Sequence, residues 1–174
     1  VLVRYDFPGK GILNAIIDLP LAIPTLVTGV MLVILYGPQQ ALGAFLSRQG
    51  LEIIFAPPGI ILAVLFITYP FVVRSIQPIL LDLDLTQERA AATLGASGWT
   101  IFRRIILPAL ALPTLSGSLL SFARAVGEFG AIVIVAGNIP FKSQTAAVYV
   151  LGAVESDNRL AASAVSIVLI AISL

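Results

Sequence analysis

The sequence predicts an all-α, polytopic integral membrane protein. Of its 174 residues, 59% are hydrophobic and only 11% are charged, whereas soluble domains carry about 25% charged residues. The mean hydropathy is +1.05. Because so few polar side chains cannot coat a globule in water, we expect a lipid bilayer to surround the chain. The net charge of +1 gives no global attraction to nucleic acid, and no nucleic-acid partner is expected.

Three complete apolar segments and a fourth, shorter one follow each other along the chain. Membrane spans are expected at residues 12–36, 59–81 and 112–136, since roughly 20 apolar residues cross the hydrocarbon. The last run, 160–174, is shorter, so we expect a truncated span and a chain that is part of a longer membrane protein. Prolines within the spans predict packing against each other, a polar cavity or a partner that satisfies the freed carbonyls.

The basic residues orient these segments. Residues 1–11 and 82–111 hold five lysines and arginines, whereas residues 37–58 and 137–159 hold three. Cytoplasmic loops carry the excess of Lys and Arg, so the first two regions are expected on the cytoplasmic side. No separate soluble domain is visible, and residues 1–174 are predicted to form a single, partial transmembrane domain.

The cytoplasmic segment 86–108 is rich in small and basic residues. Thr86 is the expected N-cap of a first helix, which Gly95 and Gly98 are expected to break. An amphipathic helix follows and is expected to end at Pro108, where the next span begins. Small side chains at the junction favour a knob that docks into a groove. The alternative is a basic loop lying among the lipid headgroups.

The order of residues in this segment resembles the EAA motif of the permease subunits of bacterial ABC importers. That motif runs Glu-Ala-Ala, three residues, Gly, nine residues, Ile, one residue, Leu-Pro. The matching positions here are Ala90, Ala91, Gly95, Ile105, Leu107 and Pro108. The resemblance implies a cytoplasmic coupling loop that contacts an ABC ATPase subunit.

One position departs from the motif. Arg89 occupies the place of the family glutamate, and Glu88 lies one residue earlier, which turns a side chain by about 100° around a helix. We keep both residues as candidates for ATPase coupling. Glu88 can favour the start of the helix through the helix dipole, and Arg89 can pair with an acidic residue of the partner.

The resemblance covers the whole chain. The stretches RYDFPGKGILNAIIDLPLAIP, PFVVRSIQPIL and SFARAVGEFGAIVIVAGNIPFKSQT are similar to the sulfate/thiosulfate permeases, in particular their T-type subunits, with the molybdate permeases as a related group. It implies a type I ABC importer permease core with a cytoplasmic coupling helix, here a fragment of a roughly six-span subunit. It also implies ATP-driven import of sulfate or thiosulfate by alternating access. Molybdate or tungstate import, and ATP-independent secondary anion transport, are the alternatives.

The same resemblance implies the partners and the location. Expected partners are ABC ATPase subunits, a second homologous permease subunit, a periplasmic sulfate-binding protein and the lipid bilayer. The expected location is the inner (plasma) membrane, or the plastid envelope if the source is algal. The sequence has no Cys and no His, no phosphate-binding loop and no carboxylate cluster with metal-ligand spacing. We therefore expect no metal, no cofactor and no catalysis by this subunit.

Two ionisable residues within the third apolar segment are candidates for the translocation pathway. Arg124 and Glu128 are spaced i,i+4, so they can pair on one helical face. Either this pair only orders the span, or Arg124 offers transient positive charge to a passing anion. Gly127 and Gly130 lie beside them, and either close helix packing or flexing during gating explains their small size.

Overall fold

The computed structural model describes residues 2–173, which form helices and connecting turns without a strand. The α-helices, in chain order, are α1 Lys10–Ala22, α2 Thr25–Tyr36, α3 Ala41–Arg48, α4 Pro57–Asp82, α5 Leu85–Thr93, α6 Gly98–Ile101, α7 Leu107–Val126, α8 Gly130–Ala136, α9 Ala146–Glu155 and α10 Arg159–Ser173. A π-helical turn, Phe102–Ile106, joins α6 to α7.

Two continuous helices among the described residues are long and apolar enough to cross a membrane. They are Pro57–Asp82, with a mean hydropathy of 2.0, and Gly98–Val126, with 1.8. Only 6% of the most apolar stretch of the second helix is buried within the chain. Its apolar surface therefore needs lipid or another protein around it.

The apolar segment 12–36 is divided between two helices. Helices α1 and α2 are bent by 111° at a short break and count as a third candidate crossing only if taken together as one broken span. Pro24 sits at the break with extended backbone, and a proline pushes the residue before it out of the helical region. The expectation of a single span over these residues is therefore corrected to a broken pair.

The third apolar segment also has different limits from those expected. The helix that was predicted over 112–136 begins at Gly98 and ends at Val126, and α8 is a separate short helix. The expected end at Pro108 is wrong, because α7 continues through it. In the π turn the N–H of Leu107 bonds to the carbonyl of Phe102, five residues back. This wider turn carries the helix past a proline that has no N–H to donate.

The described chain forms two compact units. The first comprises residues up to Ile17 together with Tyr69–Phe122, and the second comprises Asp18–Thr68 with the residues from Ala123 onward. In the first unit, Gly117 of α7 lies close to α4, where an added Cβ would come within 2.8 Å of the Cα of Val72. This close approach requires a residue without a side chain.

The second unit contains the buried core. Gly29 of α2 lies against α8, where an added Cβ would come within 2.9 Å of the carbonyl oxygen of Ala131. The buried side chains form three small clusters, Ile53–Ile54–Val135, Ala63–Ile67–Ala131 and Ile132–Ala136–Val148. Helix α8 contributes to every one of these clusters, so its position determines the packing of this unit.

Helices also occupy regions expected to be loops. Helix α3 lies within residues 37–58, and α9 lies within residues 137–159. Thr145 caps α9 by accepting a hydrogen bond from the N–H of Val148. Both helices are too short to cross the hydrocarbon alone, which explains why a search for span-length apolar runs passes over them.

Candidate functional site

The predicted coupling segment forms two helices joined by a tight turn in the first unit. Helix α5 ends at Thr93, and Gly95 adopts a φ of +83°, which is accessible to glycine without strain. Gly98 does not break a helix as expected, because it is the first residue of α6. Ser97 caps α6 by accepting from the N–H of Thr100. The segment is therefore a helix, a glycine turn and a second helix that continues into the long apolar span.

The N-cap of α5 is Asp84 and not the expected Thr86. The Asp84 carboxylate accepts a hydrogen bond of 2.8 Å from the N–H of Thr86. The hydrogen bonds from Thr86, from its side chain first and its backbone second, lower the pKa of Asp84. Asp and Thr are both frequent N-cap residues. The sequence signal for Asp84 was therefore present, but the helix begins earlier than its apolar pattern indicates.

The motif residues differ in how far they are accessible. Arg89, Ala90, Gly95, Leu107 and Pro108 are exposed, whereas Glu88, Ala91 and Ile105 are half-buried. Leu94 beside the turn and Trp99 of α6 are also exposed, at 88% and 69%. The Trp99 ring stacks on Phe102 with 5.6 Å between centroids. The segment formed by α5, the Gly95 turn and α6 thus presents exposed apolar side chains close to the exposed Arg89.

Glu88 is engaged within the chain. Its two carboxylate oxygens meet two guanidinium nitrogens of Arg4, each pair of atoms being 2.6 Å apart. The hydrogen bond to Glu88, and the negative charge of that carboxylate, raise the pKa of Arg4 despite partial burial. Neighbouring Arg89 is exposed and lies on a different face of α5. Glu88 therefore does not replace the family glutamate as an outward contact.

Sequence reasoning did not identify Arg4. It is separated from Glu88 by 84 positions, and no local periodicity relates two residues so far apart. Only the positions of both segments in the folded unit bring them together.

Arg124 and Glu128 form the ion pair that their spacing predicts. The distance from Nη1 of Arg124 to Oε2 of Glu128 is 2.8 Å. Glu128, however, lies after the end of α7, in the break before α8, so the pair does not lie along one helix. The carboxylate is 2% exposed, and its other oxygen accepts a hydrogen bond of 2.9 Å from the N–H of Ala131. Glu128 thus joins the end of α7 to the first turn of α8, while the Arg124 side chain is 35% exposed.

The two candidate packing glycines have different surroundings. An added Cβ at Gly130 would collide with Oγ1 of Thr25 and come within 3.1 Å of the backbone nitrogen of Leu26. At Gly127, by contrast, the closest atom to an added Cβ among the described residues is the carbonyl oxygen of Ala123, at 3.8 Å. Close packing therefore explains Gly130 and does not explain Gly127.

A tyrosine hydroxyl satisfies a carbonyl that a proline within α1 leaves without a donor. Pro20 in α1 has no N–H, which leaves the carbonyl of Ile16 without its helical donor. The hydroxyl of Tyr69 in α4 donates to that carbonyl over 2.9 Å. This is the arrangement by which proline is tolerated within apolar helices. The sequence predicted the need for such a donor but not which residue supplies it.

Comparisons with known proteins agree with this architecture. Residues 3–174 match the family described as binding-protein-dependent transport system inner membrane component. The probable sulfate transport system permease protein cysT of Chlorokybus atmophyticus is 44% identical over all of this chain and 61% of its own length. The sulfate transport system permease protein CysT of Synechococcus elongatus is 44% identical over all of this chain and 63% of its own length.

A chloroplast relative extends the same pattern. Sulfate permease 2, chloroplastic, of Chlamydomonas reinhardtii is 44% identical over 99% of this chain and 47% of its own length. The chain spans less than two thirds of the length of each of these relatives. The family match over nearly the whole chain agrees with the resemblance of the motif and with the apolar helices. The chain is an integral membrane protein and belongs to the family of binding-protein-dependent transport system inner membrane components.

Proposed function

We propose that this chain is part of the membrane-spanning permease subunit of an ATP-driven ABC importer of sulfate or thiosulfate. Relatives at 44% identity carry the name of sulfate transport system permease, which supports the substrate class. A separate ATPase subunit hydrolyses ATP, a binding protein delivers the anion, and a second homologous permease subunit completes the pathway. The complex works in an inner membrane or a plastid envelope by alternating access between two states.

The observation that carries this proposal is the exposed surface formed by α5, the Gly95 turn and α6. Helix α5 has no buried residue, and Leu94 at its end is 88% exposed. Covering such an apolar side chain with a partner lowers the free energy of the complex. Helix α6 then continues into the long apolar helix up to Val126. A partner that moves this surface therefore acts directly on a candidate span. A loop that only lies among lipid headgroups would not need this connection to a span.

Photocrosslinking tests the docking. Residues 1–174 contain no cysteine, so a benzophenone can be attached at Ala90→Cys in a full-length protein whose other cysteines, where present, have been replaced by serine. Ala90 is exposed, and Ala91 on the same helix is half-buried, so Ala91→Cys is the matched control. We expect efficient, ATP-sensitive crosslinking to the ATPase subunit from position 90 and much weaker crosslinking from position 91. Crosslinking to lipid alone from both positions would contradict docking.

Uptake into proteoliposomes tests the transport function. The full-length protein is reconstituted with its ATPase and binding-protein partners, and uptake of radiolabelled sulfate is measured with ATP and with a non-hydrolysable analogue. We expect uptake only with ATP and competition by excess thiosulfate. Uptake that continues without hydrolysis, or competition by molybdate alone, would contradict the proposal.

We also assign Arg124 to the translocation pathway. Its guanidinium carries five N–H donors that suit an oxyanion, it is 35% exposed, and its partner Glu128 is buried and also bonded to the backbone. Glu128 thus holds Arg124 in place and neutralises part of its charge. This arrangement fits transient contact with an anion better than tight binding, because a transporter has to release its substrate.

A pair of variants separates this role from a structural one. Arg124→Gln and Glu128→Gln both break the ion pair, but only the first removes the positive charge. Glu128→Gln keeps an oxygen that can accept from the N–H of Ala131. If Arg124 contacts the anion, Arg124→Gln should lower sulfate uptake at least tenfold more than Glu128→Gln in assembled complexes. Equal losses in both variants would show that the pair only orders the break between α7 and α8.

A further inference from the structure

Helix α5 is held in the first unit by few interactions. It has no buried residue. Its other side-chain hydrogen bonds within the described chain are local, from the Thr86 N–H to Asp84 and from Thr93 to the carbonyl of Ala90. Among the side-chain hydrogen bonds and ion pairs of α5 within residues 2–173, the Arg4–Glu88 pair therefore joins α5 to a distant part of the sequence.

The Arg4–Glu88 pair is short and largely shielded from solvent. Two nitrogens of Arg4 face two oxygens of Glu88 at 2.6 Å, and the side chains are only 22% and 16% exposed. The contact from Nη1 to Oε2 is a charge-assisted hydrogen bond, which is stronger than a neutral one. The contact from Nη2 to Oε1 is a short ion contact without hydrogen-bond geometry, and partial burial reduces screening of the pair by salt. The pair thus resists separation of α5 from the segment before α1.

Arg4 belongs to the short segment that enters α1. The Phe7 carbonyl accepts from the N–H of Lys10, the first residue of α1, and Lys10 also pairs with Asp6 at 2.7 Å. One turn later, Asn14 accepts a hydrogen bond of 3.4 Å from Arg74 of α4. The segment before α1 is therefore connected to α1 by local bonds, and the beginning of α1 is connected to α4.

We propose that the Arg4–Glu88 pair is a strut that conveys displacement of α5 to the beginning of α1. The proposal rests on the proposed function, in which a partner moves α5. Glu88 acts as a positioning residue and not as a contact to the ATPase. Without the strut, displacement of α5 should reach its chain neighbours α4 and α6 more strongly than the segment before α1.

Charge exchange across the pair tests the strut in the full-length transporter with its partners. The measured quantity is sulfate transported per ATP hydrolysed. Arg4→Glu and Glu88→Arg should each lower this ratio about fivefold to tenfold, in line with loss of a partly buried ion pair. The double exchange R4E/E88R should restore it to within about twofold. Asp157→Asn breaks the exposed Asp157–Arg159 ion pair, which lies outside this connection, and is the control, with an unchanged ratio expected.

Two results would overturn the strut. The first is that the single variants reduce the amount or melting temperature of the protein but keep the transport-to-ATP ratio, which would make the pair merely structural. The second is that the double exchange assembles normally without restoring the ratio, which would show that the two side chains do not act as a pair.

Hydrogen exchange separates failure of the strut from failure of the proposed function. If the wild-type complex shows no ATP-dependent uptake, the proposed function fails on its own. The permease alone still tests the connection. Glu88→Ala should raise amide exchange at least fivefold both in α5 and in the first turn of α1, whereas Asp157→Asn should leave both regions unchanged. An increase confined to α5 would contradict a strut that reaches α1.

Discussion

Adding one methyl group at Gly130 should test whether close packing between α8 and α2 sets the stability of the second unit. In Gly130→Ala the new Cβ collides with Oγ1 of Thr25, and the backbone nitrogen of Leu26 lies 3.1 Å away. The hydroxyl can rotate aside, but the backbone of α2 cannot move without disturbing the contact of Gly29 with Ala131. Part of the strain therefore remains after side-chain adjustment.

The magnitude follows from two opposing effects. Overpacking of a tight contact costs typically 1–3 kcal/mol, and alanine recovers up to about 1 kcal/mol over glycine within a helix. We expect net destabilisation of about 1–2 kcal/mol. The matched control is Gly127→Ala, where the nearest atom is 3.8 Å from the added Cβ. There, the lower entropy of the unfolded chain should stabilise the protein by about 0.4–1 kcal/mol.

Thermal unfolding of purified protein in detergent, followed by a thiol-independent probe such as light scattering or intrinsic fluorescence, measures the difference. Gly130→Ala should melt several degrees below Gly127→Ala. Thr25→Ala in the Gly130→Ala background removes the colliding oxygen and should recover part of the loss. Equal melting temperatures for the two glycine variants would refute the packing argument.

Two other expectations concern single hydrogen bonds. Tyr69→Phe should cost about 1 kcal/mol in the melting experiment, because the carbonyl of Ile16 loses its donor. In a Pro20→Ala background the new N–H can satisfy that carbonyl, so the cost should nearly disappear; an unchanged cost would contradict this assignment. The lowered pKa of Asp84 means that its cap contributes at neutral pH and is lost as pH falls through that lowered value. The protection factor of the Thr86 amide, which corrects for the slower intrinsic exchange at low pH, should therefore fall on acidification in the wild type but not in Asp84→Asn, which keeps a neutral acceptor.

Hydropathy located the helices that depend on length and apolarity alone. Span 59–81 corresponds to Pro57–Asp82, and the run from residue 160 corresponds to a helix that begins at Arg159. It did not locate the end of α7. A window that averages apolar residues passes over the break at Gly127–Phe129, because Ala and Val resume on its other side. The break exists because the buried Glu128 carboxylate binds the first turn of α8, a tertiary effect that averaging cannot detect.

In the candidate site, too, local features could be predicted from the sequence and tertiary contacts could not. The turn at Gly95 was predictable because a left-handed φ favours glycine, and the Arg124–Glu128 pair was predictable because i,i+4 side chains are close even past a helix end. The partner of Glu88 was not, since Arg4 lies in a segment with no regular structure of its own. The roles of these residues in transport remain predictions.

The continuity of the helix from Gly98 to Val126 has a geometric consequence. Its 29 residues extend about 43 Å at 1.5 Å per residue, whereas the hydrocarbon is about 30 Å thick. The helix is thus a single lever that is longer than the hydrocarbon is thick by roughly 13 Å, and it begins at Gly98, next to the turn that follows α5. Tilting the whole lever by about 10° displaces one end by roughly 7 Å relative to the other. A small rotation at the end next to that turn is therefore enough to shift the opposite end by several ångströms, without any hinge between the turn and the rest of the helix.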